Sequence, residues 1–540
     1  MAAITGLLLV LALLYPAAAA AQTEHTRLAP DQTEHTRLAP DQIGAAFVKF
    51  DTSCAAAVRD DFNRGVALYH SFWFPEAIRT FESVLQRDPA CALAHWGIAM
   101  SQWGNPYAGI KGAAVVKTGA ATIAKATTTG SPTAREHALI DALAILYSSP
   151  DPATHRDRVV KYESAMRLVS ESNPDDVEVK MLYALAITQS AVPTDKTYSK
   201  LLQAADMLEP LFANIPQHPG LAHYLIHAYD APPLAQRALV AARRYASLAP
   251  AAPHALHMPS HTFTRLGSWQ ESIDTNLKSA EAARAGKDAN AELHALDYQT
   301  YAFLQMGRDQ AAQTVRARAA AIQNTPGANT FAAAAIPARY ALERGDWDAA
   351  TALTVLPAPA TPYTEAITHF ARAVGAARAG RPDAATPDIT RLGELRDRLK
   401  AMSDAYWAEQ VDIQQRVALA WQAFAAGRTA EGLAQMQAAA DAEDATDKAA
   451  VTPGPLAPAR ELYGEMLFAA GRTREALAAF EATMKKEPGR FRGAYGAARA
   501  AEASGDRTKA RMYYSQLLDS ARDADTERPE LQAARKFTNQ

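Results

Sequence analysis

Histidines gather between residues 223 and 301 at spacings that could build a shared ligand site. His223 and His227 stand four apart, as do His257 and His261, and each member of the first pair precedes its counterpart by 34 residues. Residues four apart share one face of a helix, about 6 Å apart along its axis. A period of 34 belongs to helix-turn-helix units that stack side by side. Together the two periods place four imidazoles from neighbouring helices on one surface.

The same count extends the cluster. With Pro253 as the first residue of its unit and Gly267 at the turn, His254, His257 and His261 take the second, fifth and ninth places, and Gly220, His223 and His227 take them in the preceding unit, followed by Asp230. Allowing six extra residues before Gly307 puts His294, Asp297 and Tyr301 at those places in the third unit. Imidazoles and carboxylates are ligands for Zn, Cu, Ni or Fe, and the two pairs could complete one tetrahedral site or share two ions. The expected metal ligands are His223, His227, His254, His257, His261, His294 and Asp297. An ion with open positions could activate water, with Tyr301 or Asp230 handling protons. Arg265 and Arg339 could hold an anionic group, so Asp230, Arg265 and Tyr301 are the candidate ligand-binding residues.

Plainer readings stand beside this one. Histidines in helical repeats often serve as hydrogen-bonded packing residues, and a His-rich groove can bind a peptide carboxylate. His223-Tyr-Leu-Ile-His227 has two histidines four apart but lacks the Glu that follows the first His in helical zinc proteases, and His257-Met-Pro-Ser-His261 lacks it too. Pro259 within the second pair implies a kink or a late helix start. The sequence contains no Gly-rich phosphate loop, nucleophile elbow or CxxC motif, so a nucleotide cofactor is not expected.

The elements that must position these residues are helical. Alanine is abundant and β-branched runs are scarce over the 540 residues, so the chain reads as all-α. A net charge of -3 gives no basic footprint for nucleic acid. Residues 4–15 are apolar and lead into an Ala-rich tract, which reads as a signal peptide over residues 1–21, although no Lys or Arg precedes it. The run is too short for a stable membrane span, so the expectation is an exported protein, periplasmic or secreted. QTEHTRLAPD then occurs twice, at 22–31 and 32–41; residues 22–52 read as a flexible spacer, and His25 and His35 are excluded from the site. The two cysteines, Cys54 and Cys91, could form a bridge or be buried small hydrophobes.

A repeat pattern is plain from Phe62 to Pro89, where Phe74-Pro-Glu-Ala77 opens a second helix, Phe81 follows on the same face, and Asp88-Pro89 closes it. Ala476 with Phe480, and Ala510 with Tyr514, repeat that signature near the turn glycines Gly471 and Gly505. These residues resemble the tetratricopeptide repeat. The chain is similar to exported bacterial tetratricopeptide-repeat proteins that carry an HYxIHAxD segment, here His223 to Asp230, followed by HMPSH, here His257 to His261. The resemblance implies a solenoid of stacked antiparallel helix pairs in a right-handed superhelix. It also implies a cell-envelope setting and a groove lined by the places counted above; no established reaction comes with it.

The expected organisation is an N-terminal solenoid with the His-lined groove over residues 53–356, a Pro-rich joint at 357–363, C-terminal repeats over 364–522 and a polar tail at 523–540. Residues 104–130 read as an irregular insertion with short helices, and residues 451–458, rich in Pro, as a segment that folds over the groove or plugs a gap. Glu461 and Glu465, with Arg460, read as a cation site or a solvated face. The functional expectation is an exported repeat protein that binds a protein, peptide or small ligand on its concave face, with a His-rich metal site. The alternatives are a metal-dependent hydrolase or oxidase on the same face, and a metal-free interaction scaffold.

Overall fold

The computed structural model describes residues 39–357 and 361–539, and every regular element among them is helical. The expected signal peptide, His25 and His35 lie outside the described residues. No helix among the described residues is long and apolar enough to cross a membrane.

Consecutive helices pack in neighbouring pairs, as in an α-solenoid. The pairing has a simple steric basis. The Phe81 ring of helix Phe74–Arg87 lies against Gly65 of the helix before it and Gly97 of the helix after it, where an added Cβ would come within 2.7 and 2.6 Å of the ring. Near the C-terminus Phe480 lies between Gly464 and Gly496 in the same manner, with an added Cβ at 3.0 and 2.4 Å. A bulky ring between two glycines lets three helices approach closely, and the motif recurs because the unit recurs.

Cys54 and Cys91 form a disulfide, with their Cα atoms 4.8 Å apart. Several boundaries differ from the sequence reading. Ile43, Val48 and Phe50 are buried, so the end of the expected spacer is packed structure, with Phe50 against Phe62 and Trp96. The insertion, expected to hold short helices, contains one of 17 residues, Ala113–Thr129, whose Gly119 faces the Tyr147 ring. The expected polar tail forms helix Pro529–Thr538 and buries Leu531, Ala534 and Phe537. Thr361 and Pro362 of the expected joint begin helix Pro362–Arg378, and one apolar core continues from Phe331 to Phe537 across it, so the joint divides no core.

The C-terminal repeats also pack back onto the central ones. Gly267 ends helix Pro259–Leu266 with a left-handed φ of 71°, and a Cβ there would lie 2.9 Å from the Pro488 carbonyl oxygen. Trp269 Nε1 donates to the Gly489 carbonyl at 2.9 Å, and the Phe491 amide donates to Gln305 Oε1 at 2.9 Å. Residues 451–458 lie in the resulting interior: Arg339 donates to Thr452 Oγ1, to the Gly454 carbonyl and to the Pro455 carbonyl.

Candidate metal centre

Three successive first helices carry the histidines. Pro219 starts helix Pro219–Ala228, where its missing N–H costs nothing, and His223 and His227 follow one turn apart. The next first helix is broken by Pro259 into Pro253–His257 and Pro259–Leu266, but Met258 between them keeps right-handed helical angles. His257 and His261 therefore still stand one turn apart. His294 comes from helix Ala289–Gln305, capped by the Asp288 side chain.

The six rings resolve into two triads. His223, His227 and His254 form one, and His257, His261 and His294 form the other; within each, three ring nitrogens lie within 4.8 Å of one another. Each triad thus takes a pair from one unit and the second-place histidine of a unit at hand, so the sequence repeat is also a repeat of ligand geometry. Each could hold a metal ion.

The proton positions in the second triad follow from the partners. His261 Nδ1 faces Asp230 Oδ2 at 2.9 Å, and an ionised carboxylate only accepts, so this nitrogen carries the hydrogen. His257 Nδ1 faces Asn276 Oδ1 at 2.7 Å, while Asn276 Nδ2 donates to the Ser272 carbonyl; again Nδ1 is the donor. Both Nε2 atoms are then bare lone pairs, and they stand 3.1 Å apart. In the first triad His223 Nδ1 donates to the His70 carbonyl at 2.6 Å, leaving its Nε2 lone pair 3.2 Å from His254 Nε2. His227 Nε2 is buried without a hydrogen-bond partner.

Protonation is a poor remedy for these lone pairs. Burial holds His223, His227, His254 and His257 well below the usual imidazole range, and neighbouring histidines add to the effect. Burial, with His261 and Lys448, brings His294 down to about 3. His261 is also lowered, chiefly by burial, although Asp230 opposes the shift. Neutral imidazole is the ligating form. With metal–nitrogen bonds of about 2.0–2.1 Å, ligand atoms of a tetrahedral site stand roughly 3.3 Å apart, near the 3.2 and 3.1 Å of the closest pair in each triad, with the third nitrogen within 4.8 Å.

The surroundings fix the rings. Phe72, held at a left-handed φ of 51°, sets its ring 4.4 Å from His223 and 5.2 Å from His254, and Tyr107 stacks on His227 at 4.1 Å. Tyr298 lies 4.5 Å from the His257 ring, with its hydroxyl 3.4 Å from His261 Nε2. Two cavities flank the cluster. One of about 550 Å³ reaches His227, Asp230, Tyr107 and Lys448, and one of about 440 Å³ reaches His254, His257 and His294.

The remaining expected residues make contacts of their own. Asp297 stands outside both triads, with its buried carboxylate on Arg339 Nε at 2.8 Å. Tyr301 turns away, and its hydroxyl accepts from Arg490 Nη1 at 3.0 Å. Arg265 holds Asp230 through Nε to Oδ1 at 2.9 Å and Nη2 to the carbonyl at 3.1 Å, so it positions Asp230, while its Nη1 is buried without a hydrogen-bond partner. Asp230 in turn holds His261; burial would raise its carboxyl, but Lys448, Arg265 and His261 outweigh burial and keep it well below the usual carboxylate range. Arg339 is saturated. Glu461 pairs with Arg490, and Glu465 with Arg378 and Arg492, so they form neither a cation site nor a solvated face.

Sequence reasoning missed Tyr298, Asn276, Phe72 and Lys448. Tyr298 was accessible, since it follows His294 by four residues on the same helix face. Two further acidic or thiol groups need no ion. His70 and His218 each place Nε2 on a different oxygen of Glu178, at 2.8 and 3.0 Å, and His70 Nδ1 meets the Tyr224 hydroxyl at 2.8 Å. The thiols near Asp88 are consumed in the disulfide. In comparisons with known proteins, no family model and no curated protein matches this chain.

Proposed function

We propose that this chain is an exported, tetratricopeptide-like solenoid of right-handed twist whose His-lined interior binds transition-metal ions, one in each triad, and presents them to a small ligand. The observation that carries the metal reading is the His257–His261 contact, where two nitrogen lone pairs meet at 3.1 Å with both Nδ1 hydrogens already committed. Two lone pairs at that distance repel unless a cation lies between them, and burial disfavours a proton. All-imidazole donor sets suit Zn, Cu, Ni or Fe. The Cys54–Cys91 bridge supports an oxidising compartment, and the Gly-Phe-Gly packing supports the repeat type.

Metal analysis of the purified protein after dialysis against zinc tests this reading, together with His257→Ala and His227→Ala variants. Two ions per chain in the parent and one fewer in each variant is the expected result. No bound metal, and no change on substitution, would leave a plain scaffold. A metal-dependent hydrolase or oxidase is the second reading. It is favoured by the two cavities that reach the triads and by three protein ligands per ion, which leave a position for water or substrate.

A further inference from the structure

Lys448 is the feature of the interior that the metal reading leaves unexplained. It sits in the segment between helices Thr429–Asp444 and Ala459–Ala469, with 4% of its side chain exposed. Its ammonium has no hydrogen-bond partner, and its nearest carboxylate oxygen, Asp230 Oδ2, is 3.5 Å away and already bonded to His261. A buried ammonium whose one long ion pair is shared leaves N–H donors unmet, a desolvation cost that an external acceptor would relieve. Its position is specific as well: its charge acts on His227, His261 and His294, members of both triads, and it lines the cavity of about 550 Å³.

The charge balance points the same way. Neither triad contains a carboxylate, so divalent ions held there keep their full charge. Asp230, the nearest acidic group, is shared among Arg265, His261 and Lys448. A buried excess of positive charge needs an anion from outside. Beyond Lys448 the same cavity offers aromatic surface from Tyr107 and from the Tyr363 and Trp407 rings, which stack at 4.3 Å.

We propose that this cavity takes a small organic oxyanion, a carboxylate or phosphate, whose head lies between the Lys448 ammonium and the ion of the first triad at His227, and whose apolar body rests on Tyr107, Tyr363 and Trp407. The inference rests on the metal reading above and deepens it. The test is calorimetric titration of zinc-loaded protein with benzoate and, separately, with inorganic phosphate, on the parent, Lys448→Met and Lys448→Arg, with zinc content measured on each sample.

The expected result is binding of at least one of the two anions by the parent, weakened roughly tenfold or more in Lys448→Met and largely kept in Lys448→Arg, with zinc content equal in all three. Benzoate binding would identify a carboxylate head, and phosphate binding a phosphoryl head. Zinc-loaded parent that binds neither anion, or a Lys448→Met variant that binds as tightly as the parent, would overturn this inference and leave the metal reading intact. Failure of the parent to take up zinc would overturn both. Circular dichroism of Lys448→Met separates lost binding from lost fold, and should the variant unfold, the parent's own titration still decides.

Discussion

His257 and His261 face each other through Nε2 atoms 3.1 Å apart while their Nδ1 atoms donate to Asn276 and Asp230. The metal-free fold therefore stores a repulsion that an ion would convert into two coordinate bonds. Zinc added to chelator-treated protein should raise the melting temperature. The gain in stability is about 2.7 kcal/mol per site at a hundredfold excess over the dissociation constant. Differential scanning calorimetry of the parent and His261→Ala checks it; superimposable melting curves with and without zinc in the parent would refute the prediction.

The partners on the far side of each ring should matter nearly as much as the rings. Asp230→Asn keeps the shape but removes the charge that fixes the His261 hydrogen on Nδ1. Outer partners of this kind typically change metal affinity by roughly 10- to 100-fold. Competition with a fluorescent chelator should show one weakened site and one unchanged, because Asp230 touches only the second triad. Equal loss at both sites would mean that the substitution acts through the fold instead.

How far the sequence foretold this centre depends on the kind of contact. The four-residue and 34-residue periods are local, and they brought all six histidines to one place. On the third helix Asp297 and Tyr301 stand three residues beyond His294 and Tyr298, about 60° round the helix, where Asp297 meets Arg339 and Tyr301 meets Arg490 of the returning C-terminal repeats. Nothing local in the sequence signals that return. The pairs Trp269–Gly489, Tyr301–Arg490 and Asp309–Arg528 join residues about two hundred positions apart, and each is legible only once both ends are in place. Lys448 escaped notice for the same reason, as a lone lysine beside a Pro-rich stretch gives no sign of being buried.

Acid should destabilise the metal-free protein at unusually mild pH. Burial holds all six site imidazoles below the ordinary imidazole value of about 6.5, with His294 at about 3. Above about pH 6.5 both folded and unfolded rings are neutral and the stability is fully present. Below it the unfolded chain binds protons that the folded rings refuse, so stability falls as the pH drops from about 6.5 toward 3. The slope is about 1.4 kcal/mol per pH unit for each excess proton. Urea unfolding in chelator at about pH 7.5, 6 and 5 measures it, and a flat profile between 7 and 5 would contradict the assignment.

The closure of the C-terminal repeats onto the central ones rests on Arg490. Its guanidinium is fully buried, donates to both oxygens of Glu461 at 2.9 and 2.8 Å, stands 2.8 Å from Glu343, and donates to the Tyr301 hydroxyl at 3.0 Å. Tyr301 and Glu343 belong to the central repeats, Glu461 to the C-terminal ones, so one cation ties the two together. Arg490→Met leaves two buried carboxylates with no cation, and breaking such a pair costs about 3–5 kcal/mol. The double variant Arg490→Met with Glu461→Met removes one of those charges and should recover part of the loss. Urea unfolding measures both, and because neither residue touches a triad, zinc content in the folded variants should stay at the parent value. A cost below about 1 kcal/mol for Arg490→Met, within the range of an exposed ion pair, would show that the closure depends on apolar packing instead.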